Sequence, residues 1–300
     1  MKKKALFFIF FVLFLLIFVM AFLSKKESKS KITLEKGNGA VINIWIDDFS
    51  RLDVLRNHKV KYLFVDVGNM DDYGKITTPE TEIKNFLDFM NKYEKEKNYD
   101  FILLPYSEVI ASDYNIASES FKGNFVNDYV RFAGMGFDGL LVDIEGMPSE
   151  VRGDYLDLLA RLRKRLPPNS VISVYAGSLS DSPNEWEWGS SFYRQVSYRV
   201  DLISATGYDT DLTNPDEYKG YIKEQVSKIT SGNFNTKFLF AVPTHKPYPE
   251  TVENALSAYT SEIRNHPENN FLGVVVFAEW TADKQEWDVF EKYIKDNKNH

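Results

Sequence analysis

Eight short apolar segments, each followed by a longer stretch with helical spacing, constrain the fold of this chain more than any other feature. The segments are rich in Val, Ile, Tyr and Phe, residues that favour strands. They cover residues 41–46, 60–65, 99–104, 139–144, 170–175, 201–206, 237–242 and 273–277. Because strands that alternate with helices form parallel sheets, eight such units predict an α/β fold, the (β/α)₈ TIM barrel.

The clearest predicted helix lies between the fourth and fifth strands. One face of it carries apolar residues at helical spacing, namely Tyr155, Leu158, Leu159, Leu162 and Leu166. Pro167 and Pro168 end the segment. An open doubly wound sheet is the alternative fold, but it carries a glycine-rich phosphate loop after its first strand. Residues 45–49, Trp-Ile-Asp-Asp-Phe, contain no glycine, so the barrel is favoured.

The first 23 residues are predicted to form an N-terminal membrane anchor. Lys2, Lys3 and Lys4 precede an uninterrupted apolar run over residues 5–23, and a transmembrane helix needs ~20 apolar residues. No small-residue cleavage site follows the run, so we expect an uncleaved transmembrane helix, or a secreted protein if the segment is cut. Lysines at the extreme N-terminus favour a cytoplasmic start. The expected location is therefore the cell membrane, single-pass, with the domain extracytoplasmic.

Residues 24–39 are polar, lack periodicity and end in Gly-Asn-Gly, so they are predicted to be a flexible stalk. Residues 40–300 then form the catalytic barrel, because a chain of 300 residues with 44% hydrophobic content can bury one large core. The chain has no cysteine, which excludes disulfides and lipid attachment at a cysteine.

The net charge of −7 disfavours nucleic acid and an anionic lipid surface as binding partners of the domain. A neutral or weakly charged substrate suits it better. The four histidines show no metal-binding spacing, and the sequence contains no zinc-protease motif, serine nucleophile elbow or phosphate loop. Neither a metal nor an organic cofactor is implied.

Carboxylates and aromatic rings dominate the positions at which the eight predicted strands end, and reacting groups of parallel barrels lie at these ends. Sugars bind to such a mixture, because pyranose faces stack on rings while carboxylates accept hydrogen bonds from hydroxyls. A polysaccharide or oligosaccharide is therefore the predicted partner. Trp186 and Trp188, after the fifth strand, either line a sugar subsite or cover the barrel. The predicted substrate-binding residues are Trp45, Asp47, Tyr106, Tyr175, Asp209, Glu279 and Trp280.

The fourth predicted strand ends in two carboxylates on one pleat face. Leu141, Asp143 and Glu145 are two residues apart, so their side chains point the same way. If that face points inward, the two carboxylates converge at the mouth of the barrel. Because close carboxylates cannot both ionise freely, one holds a proton near neutral pH, as the acid catalyst of glycosidic cleavage must. Glu145, the longer and more distal, is the predicted acid.

Residues 138–145, Asp-Gly-Leu-Leu-Val-Asp-Ile-Glu, resemble the D-G-x-D-x-D-x-E signature of family 18 glycoside hydrolases, which include chitinases and chitinase-like proteins. Residues 201–209 are similar to the family's sixth strand, which ends in Tyr-Asp. Residues 238–244 look like its seventh strand, which ends near a proline. The similarity runs in order through most of residues 40–295.

The resemblance implies a role for each of three catalytic residues. Glu145 would protonate the leaving oxygen, Asp143 would orient the substrate's N-acetyl group, and Tyr208 would donate a hydrogen bond to its carbonyl oxygen. The acetamido oxygen would then be the nucleophile, and the anomeric configuration would be retained. The implied substrate is a β-linked N-acetylhexosamine polymer or a cell-envelope glycan. Phe277 and Trp280 are both candidates for the position of the family's strand-eight tryptophan.

Two departures from the family pattern leave other functions open. Leu141 replaces the middle aspartate of the signature, and Pro-Tyr-Ser-Glu at 105–108 replaces a Ser-x-Gly-Gly segment. One alternative is a carbohydrate-binding barrel without catalysis. The other is a glycosidase with two catalytic carboxylates and a substrate without an acetamido group, in which Glu279 or Asp209 faces Glu145.

Overall fold

Strands and helices alternate throughout residues 32–244 and 247–296, the part of the chain that the structure, a computed structural model, describes. The strands are β1 (Asn38–Asn43), β2 (Val60–Asp66), β3 (Ile102–Tyr106), β4 (Glu108–Ile110), β5 (Gly139–Glu145), β6 (Val171–Ala176), β7 (Leu202–Thr206), β8 (Lys237–Pro243) and β9 (Phe271–Phe277). The helices are α1 (Phe49–Asn57), α2 (Glu80–Lys97), α3 (Glu119–Met135), α4 (Arg152–Arg165), α5 (Ser190–Ser197), α6 (Pro215–Ser231), α7 (Val252–Ile263) and α8 (Lys284–Asp296).

All strands belong to one parallel sheet in the order β3-β2-β1-β9-β8-β7-β6-β5-β4. The third strand of the barrel is broken at Ser107, so that β3 pairs with β2 and β4 pairs with β5. Asp138, the residue before β5, links that strand to β3: its amide donates to the Leu103 carbonyl and its carboxylate accepts from the Leu103 amide, each at 3.0 Å. The chain therefore has the predicted α/β TIM barrel, nearly closed.

Two strands are displaced from their predicted positions. β1 begins at Asn38 and ends at Asn43, three residues earlier than expected, so Trp45 and Asp47 belong to the loop before α1. β3 begins at Ile102 rather than at Tyr99, whose hydroxyl instead donates to the Val60 carbonyl at 2.6 Å. An apolar segment can form either a strand or a packed loop, so its composition does not locate the strand boundary. This explains the displacement.

The helices cover the sheet through the faces that their spacing predicts. In α4, Tyr155, Leu158, Leu159 and Leu162 are buried. Polar side chains at the ends of two of the loops cap the helices that follow: Asp48 accepts from the Ser50 amide at 2.7 Å and Asn214 accepts from the Asp216 amide at 2.8 Å. Each cap determines where its helix begins, and therefore where the preceding loop ends. These loops carry residues of the candidate site.

The folded part of the chain begins before residue 40. The compact unit that contains the barrel starts at Thr33. The Glu35 amide donates to the Tyr62 hydroxyl at 3.0 Å, and that hydroxyl donates to the Glu35 carbonyl at 2.7 Å. The Gly37 amide donates to the Leu272 carbonyl at 3.1 Å. Residues 35–39, which the composition placed in the stalk, therefore lie against the amino ends of the strands.

The expected single-pass membrane location needs correction. Among residues 32–244 and 247–296, no helix is long and apolar enough to cross a bilayer. The apolar run over residues 5–23 and the polar residues 24–31, on which the anchor and most of the stalk were predicted, lie outside the described residues.

Candidate active site

Strand β5 carries the two carboxylates that the sequence singled out. Asp143 is buried, with 7% of its surface exposed, and Glu145 is partly buried at the carboxyl end of the strand. Gly139 begins the strand where β6 passes very close, because a Cβ at this position would lie 1.9 Å from the Val171 carbonyl oxygen. This close approach holds the strand against its neighbour and fixes where its tip emerges.

Asp143 and Glu145 lie two residues apart at the end of β5, close enough for the charge of Glu145 to act on Asp143. Burial and the charge of Glu145 raise the pKa of Asp143 well above its usual value. Burial, together with the charges of Glu108 and Asp209, raises the pKa of Glu145 to about 7. Because burial and the repulsion between neighbouring carboxylates disfavour ionisation of both groups, the pair keeps one proton near neutral pH.

One oxygen of Asp143 has no hydrogen-bond partner among the described residues. This atom, Oδ1, is fully buried. Leu141, which is also buried and lies two residues earlier on the same face, offers no polar atom. The replacement of the signature's middle aspartate by leucine therefore leaves no carboxylate at position 141 to share a hydrogen bond with Asp143.

Glu108, which is not among the predicted site residues, is a third carboxylate at this site. It is the register partner of Asp143 in the β4–β5 ladder, and its charge raises the pKa of both Asp143 and Glu145. The break at Ser107 places it there, because a strand that continued without interruption would have different residues beside β5. The sequence signal for this position was the Pro-Tyr-Ser-Glu segment at 105–108, which departs from the family pattern and contains Glu108.

A cleft of about 700 Å³ opens beside Glu145 and is referred to as the Glu145 cleft. Tyr208, the third predicted catalytic residue, lines it together with Tyr175 and Asp209, two of the predicted substrate-binding residues. The Tyr208 ring stacks on Phe277, with centroids 5.1 Å apart, and is 6.4 Å from the Tyr175 ring. Phe277 therefore supplies the ring beneath Tyr208. Acidic side chains in the cleft are Glu145, Glu185, Glu187, Asp209 and Asp211.

The loop that carries Tyr208 and Asp209 is held by a buried carboxylate, Glu250. Glu250 accepts from the Asp209 amide at 2.8 Å, the Thr210 amide at 2.7 Å and the Thr210 hydroxyl at 2.6 Å. Asp209 has a positive φ of 58°, a conformation that few residues other than glycine adopt. Glu250 is some forty residues from Asp209 along the chain, so sequence spacing gives no local signal for this contact.

The two tryptophans after β6 have different environments. Trp188 is buried, with its ring 4.9 Å from Phe192 and 5.4 Å from Tyr193. Trp186 is 51% exposed and lines the Glu145 cleft. Its indole covers Gly146, the residue after Glu145, where an added Cβ would lie 3.1 Å from the ring. Trp186 thus presents a flat apolar surface beside the candidate acid, and Trp188 belongs to the core.

A second cleft of about 740 Å³ lies on the other side of β4, and we refer to it as the Trp45 cleft. Trp45 is 55% exposed, and its indole N–H donates to the Glu82 carboxylate at 3.1 Å. Burial raises the pKa of Tyr106 well above its usual value, and the charge of Asp143 adds to the shift. The acidic residues that line this cleft are Asp66, Glu82, Glu108 and Asp113.

Three predicted substrate contacts, Asp47, Glu279 and Trp280, are not among the residues that line these two clefts. Glu279 is almost fully buried and accepts hydrogen bonds on both oxygens from Arg51, one of them from Nε at 2.9 Å. Asp47 is exposed and its charge acts on Arg51. Trp280 is 43% exposed. In this structure the Glu279 carboxylate therefore serves an ion pair.

No protein-family profile matches this sequence, and no curated protein is similar to it. Solved structures are similar in fold. A class V chitinase from Pseudomonas fluorescens Pf-5 matches with a TM-score of 0.64 and 12% identity, over 86% of this chain and 99% of that one. The spore cortex-lytic enzyme SleL of Bacillus cereus matches with a TM-score of 0.62 and 13% identity, over 87% of this chain and 76% of that one.

A family 18 chitinase from Chromobacterium violaceum matches with a TM-score of 0.56 and 13% identity, over 87% of this chain and 81% of that one. The resemblance expected from residues 138–145 is thus confirmed in the fold: the whole barrel, not one strand, has the architecture of these enzymes. At such low identity the comparison shows the fold alone.

Proposed function

We propose that this chain is a glycoside hydrolase that cleaves β-linked N-acetylhexosamine polymers, with Glu145 as the proton donor. The observation that carries the proposal is the pKa of Glu145, which burial and neighbouring carboxylates raise to about 7 at the edge of a cleft. A carboxyl group in this state keeps its proton near neutral pH and can deliver it to a leaving oxygen.

The neighbours of Glu145 supply the other parts of a substrate-assisted reaction. Glu145 protonates the glycosidic oxygen while the acetamido carbonyl oxygen of the substrate attacks the anomeric carbon and displaces the leaving sugar. Asp143, buried beside Glu145, orients the acetamido group and stabilises its developing positive charge. Tyr208 donates a hydrogen bond to the acetamido oxygen. Water, deprotonated by the Glu145 carboxylate, then opens the cyclic intermediate with retention of configuration.

The choice of substrate class rests on the cleft and on the similar structures. Exposed Trp186 and the rings of Tyr175 and Tyr208 line the Glu145 cleft, and pyranose faces stack on such rings. Two of the similar structures are chitinases and one is a spore cortex-lytic enzyme. An amino-sugar polymer is the substrate that suits both the geometry and these names.

The test is hydrolysis of β-1,4-linked N-acetylglucosamine oligomers by the wild type and by Glu145→Gln. We expect Glu145→Gln to lower kcat by about 10²–10⁴, because glutamine keeps the shape but has no transferable proton. Glu150→Gln is the matched control, since Glu150 is exposed and lies in the short helix just after β5. Equal rates for the wild type and Glu145→Gln would reject the assignment of Glu145.

A glycosidase with two catalytic carboxylates is the second candidate, and one observation favours it. The charges of Glu108 and Asp209 both act on Glu145, so either could be the second carboxylate. Glu279 is a weaker choice because Arg51 binds both of its oxygens. Efficient hydrolysis of a glycan that has no acetamido group would favour this mechanism over substrate assistance.

A further inference from the structure

The two clefts at the mouth of the barrel concentrate negative charge. Together they are lined by nine carboxylates, and no lysine or arginine is among their described lining residues. The whole chain has an excess of only seven acidic over basic residues. The acidic excess of the protein is therefore located where the substrate would bind, and the rest of the chain is close to balanced.

Apart from Asp209, none of these nine carboxylates forms an ion pair with a lysine or arginine in the described part of the chain. Glu82 and Glu187 accept hydrogen bonds from neutral donors, the Trp45 indole and the Asn184 amide. Glu185 and Asp211 are exposed. Elsewhere in the protein, carboxylates such as Asp154 and Glu119 are bound by Lys122 or Arg161. Within the described residues, the charges of these eight carboxylates are therefore not balanced by ion pairs.

Buried polar atoms without partners indicate that these clefts are built to bind a ligand. Ser107 lines the Trp45 cleft, is 1% exposed, and its hydroxyl has no hydrogen-bond partner among the described residues. Asp143 does not itself line the Glu145 cleft, but it lies two residues before Glu145 on β5, and its buried Oδ1 also has no hydrogen-bond partner among the described residues. Buried polar atoms are normally satisfied. Each cleft also exposes a large ring, Trp45 in one and Trp186 in the other.

We propose that the two clefts bind a hexosamine polymer in which some units carry free, protonated amino groups, with an N-acetylated unit beside Glu145. This inference rests on the proposed function, because substrate assistance requires one acetamido group at the reacting unit. Ammonium groups on the neighbouring units would be attracted by the uncompensated carboxylates, whereas the carboxyl groups of an anionic glycan would be repelled.

Binding to the full-length Glu145→Gln variant tests the inference independently of catalysis. Three hexasaccharides of matched length are titrated at mildly acidic pH: fully N-acetylated, partly de-N-acetylated, and carboxylated. We expect the partly de-N-acetylated oligomer to bind about tenfold more tightly than the fully acetylated one, and the carboxylated one to bind least. Raising the ionic strength from about 0.01 M to about 1 M shortens the Debye length from ~30 Å to ~3 Å and should remove the difference.

Charge-neutralising substitutions identify the carboxylates responsible. Glu185→Gln combined with Asp211→Asn removes two exposed charges of the Glu145 cleft, neither of which shifts the pKa of Glu145. This double variant should lose several-fold of the preference for the amino-bearing oligomer. Asp88→Asn combined with Glu96→Gln removes two exposed charges on α2 and is the matched control.

Three results would overturn the inference: equal or tighter binding of the fully acetylated oligomer at low salt, a preference that salt does not change, or an equal loss in the α2 control. The proposed function fails separately. If the wild type cleaves none of the acetylated oligomers while the Glu145→Gln variant still prefers the amino-bearing one, the binding inference stands and the hydrolase proposal does not.

Discussion

Glu108 and Asp143 are register partners across the β4–β5 ladder, which places a third carboxylate beside the Asp143–Glu145 pair. The negative charge of Glu108 disfavours ionisation of Asp143 and Glu145 and so raises the pKa of both. The proposed acid thus owes its protonation near neutral pH partly to a residue on a different strand.

Replacement of Glu108 should therefore shift the pH dependence of the reaction. Glu108→Gln removes a negative charge that raises the pKa of Glu145, so that pKa should fall and Glu145 should lose its proton at lower pH. The alkaline limb of the kcat/KM profile on a neutral oligomer should move to lower pH by up to about one unit. Glu96→Gln on α2 should leave the limb in place, and an unmoved limb in Glu108→Gln would refute the coupling.

Removal of the Glu145 carboxyl should stabilise the fold at neutral pH. Its pKa is raised from 4.5 to about 7 in the folded state, so the folded protein binds a proton more tightly than the unfolded chain. The contribution of Glu145 to the free energy of unfolding is therefore most favourable below pH 4.5. It is lost as the pH rises from there through about 7.

Glu145→Gln, which does not titrate, should gain relative stability over the same interval, by up to about 3 kcal/mol. Thermal unfolding of both proteins at pH 4.5, 6 and 8 measures the difference. A gain that is equal at all three values would show that the raised pKa of Glu145 is not the cause.

Substitution of Trp186 should weaken substrate binding, whereas substitution of Trp188 should lower the stability of the fold. Trp186→Ala removes an exposed ring of the Glu145 cleft, so KM for an oligomer should rise about tenfold, equivalent to ~1.4 kcal/mol, with little change in Tm. Trp188→Ala removes a buried ring and should cost about 3–5 kcal/mol of stability. Kinetics and thermal unfolding of both variants decide the matter; loss of stability in Trp186→Ala would assign that ring to the core.

Glu250 should act as a positioning residue for the Tyr208 loop. Glu250→Gln places an amide nitrogen where the carboxylate accepts from backbone N–H groups, so at least one donor loses its partner, at a cost of about 1–3 kcal/mol. We expect kcat to fall about tenfold with a smaller change in KM, because Tyr208 shifts relative to the reacting group.

Glu253→Gln, an exposed change on α7, is the control for Glu250→Gln. A Glu250→Gln protein with reduced Tm and unchanged kcat would assign Glu250 a structural role only.

The barrel was predictable because its repeating unit is local. Eight apolar segments each contain enough strand-forming residues to be recognised alone, and the helix that buries Tyr155 and Leu162 shows its spacing within fourteen residues. The strand boundaries were less accurate. Tyr99 is apolar enough to extend β3, yet it packs beside the strand through its hydroxyl, and only the neighbouring strand decides this.

The candidate site was predictable only where pleat parity determined it. Asp143 and Glu145 lie on one face of one strand, so their proximity follows from a two-residue period. Glu108 depends on a break in a different strand, and Glu250 reaches Asp209 through the folding of a distant loop. The exposure of Trp186 and the burial of Trp188 depend on the same kind of loop packing, which sequence spacing does not encode.

Gly146 joins the candidate acid to the indole above it. Its φ of +60° is a conformation that residues with a side chain rarely adopt, and a Cβ there would lie 3.1 Å from the Trp186 ring, closer than ordinary contact. A library that randomises this cleft to obtain new specificities should therefore hold position 146 constant and vary the rim around Trp186, since any side chain at 146 would displace the aromatic platform and the chain segment that follows Glu145 together.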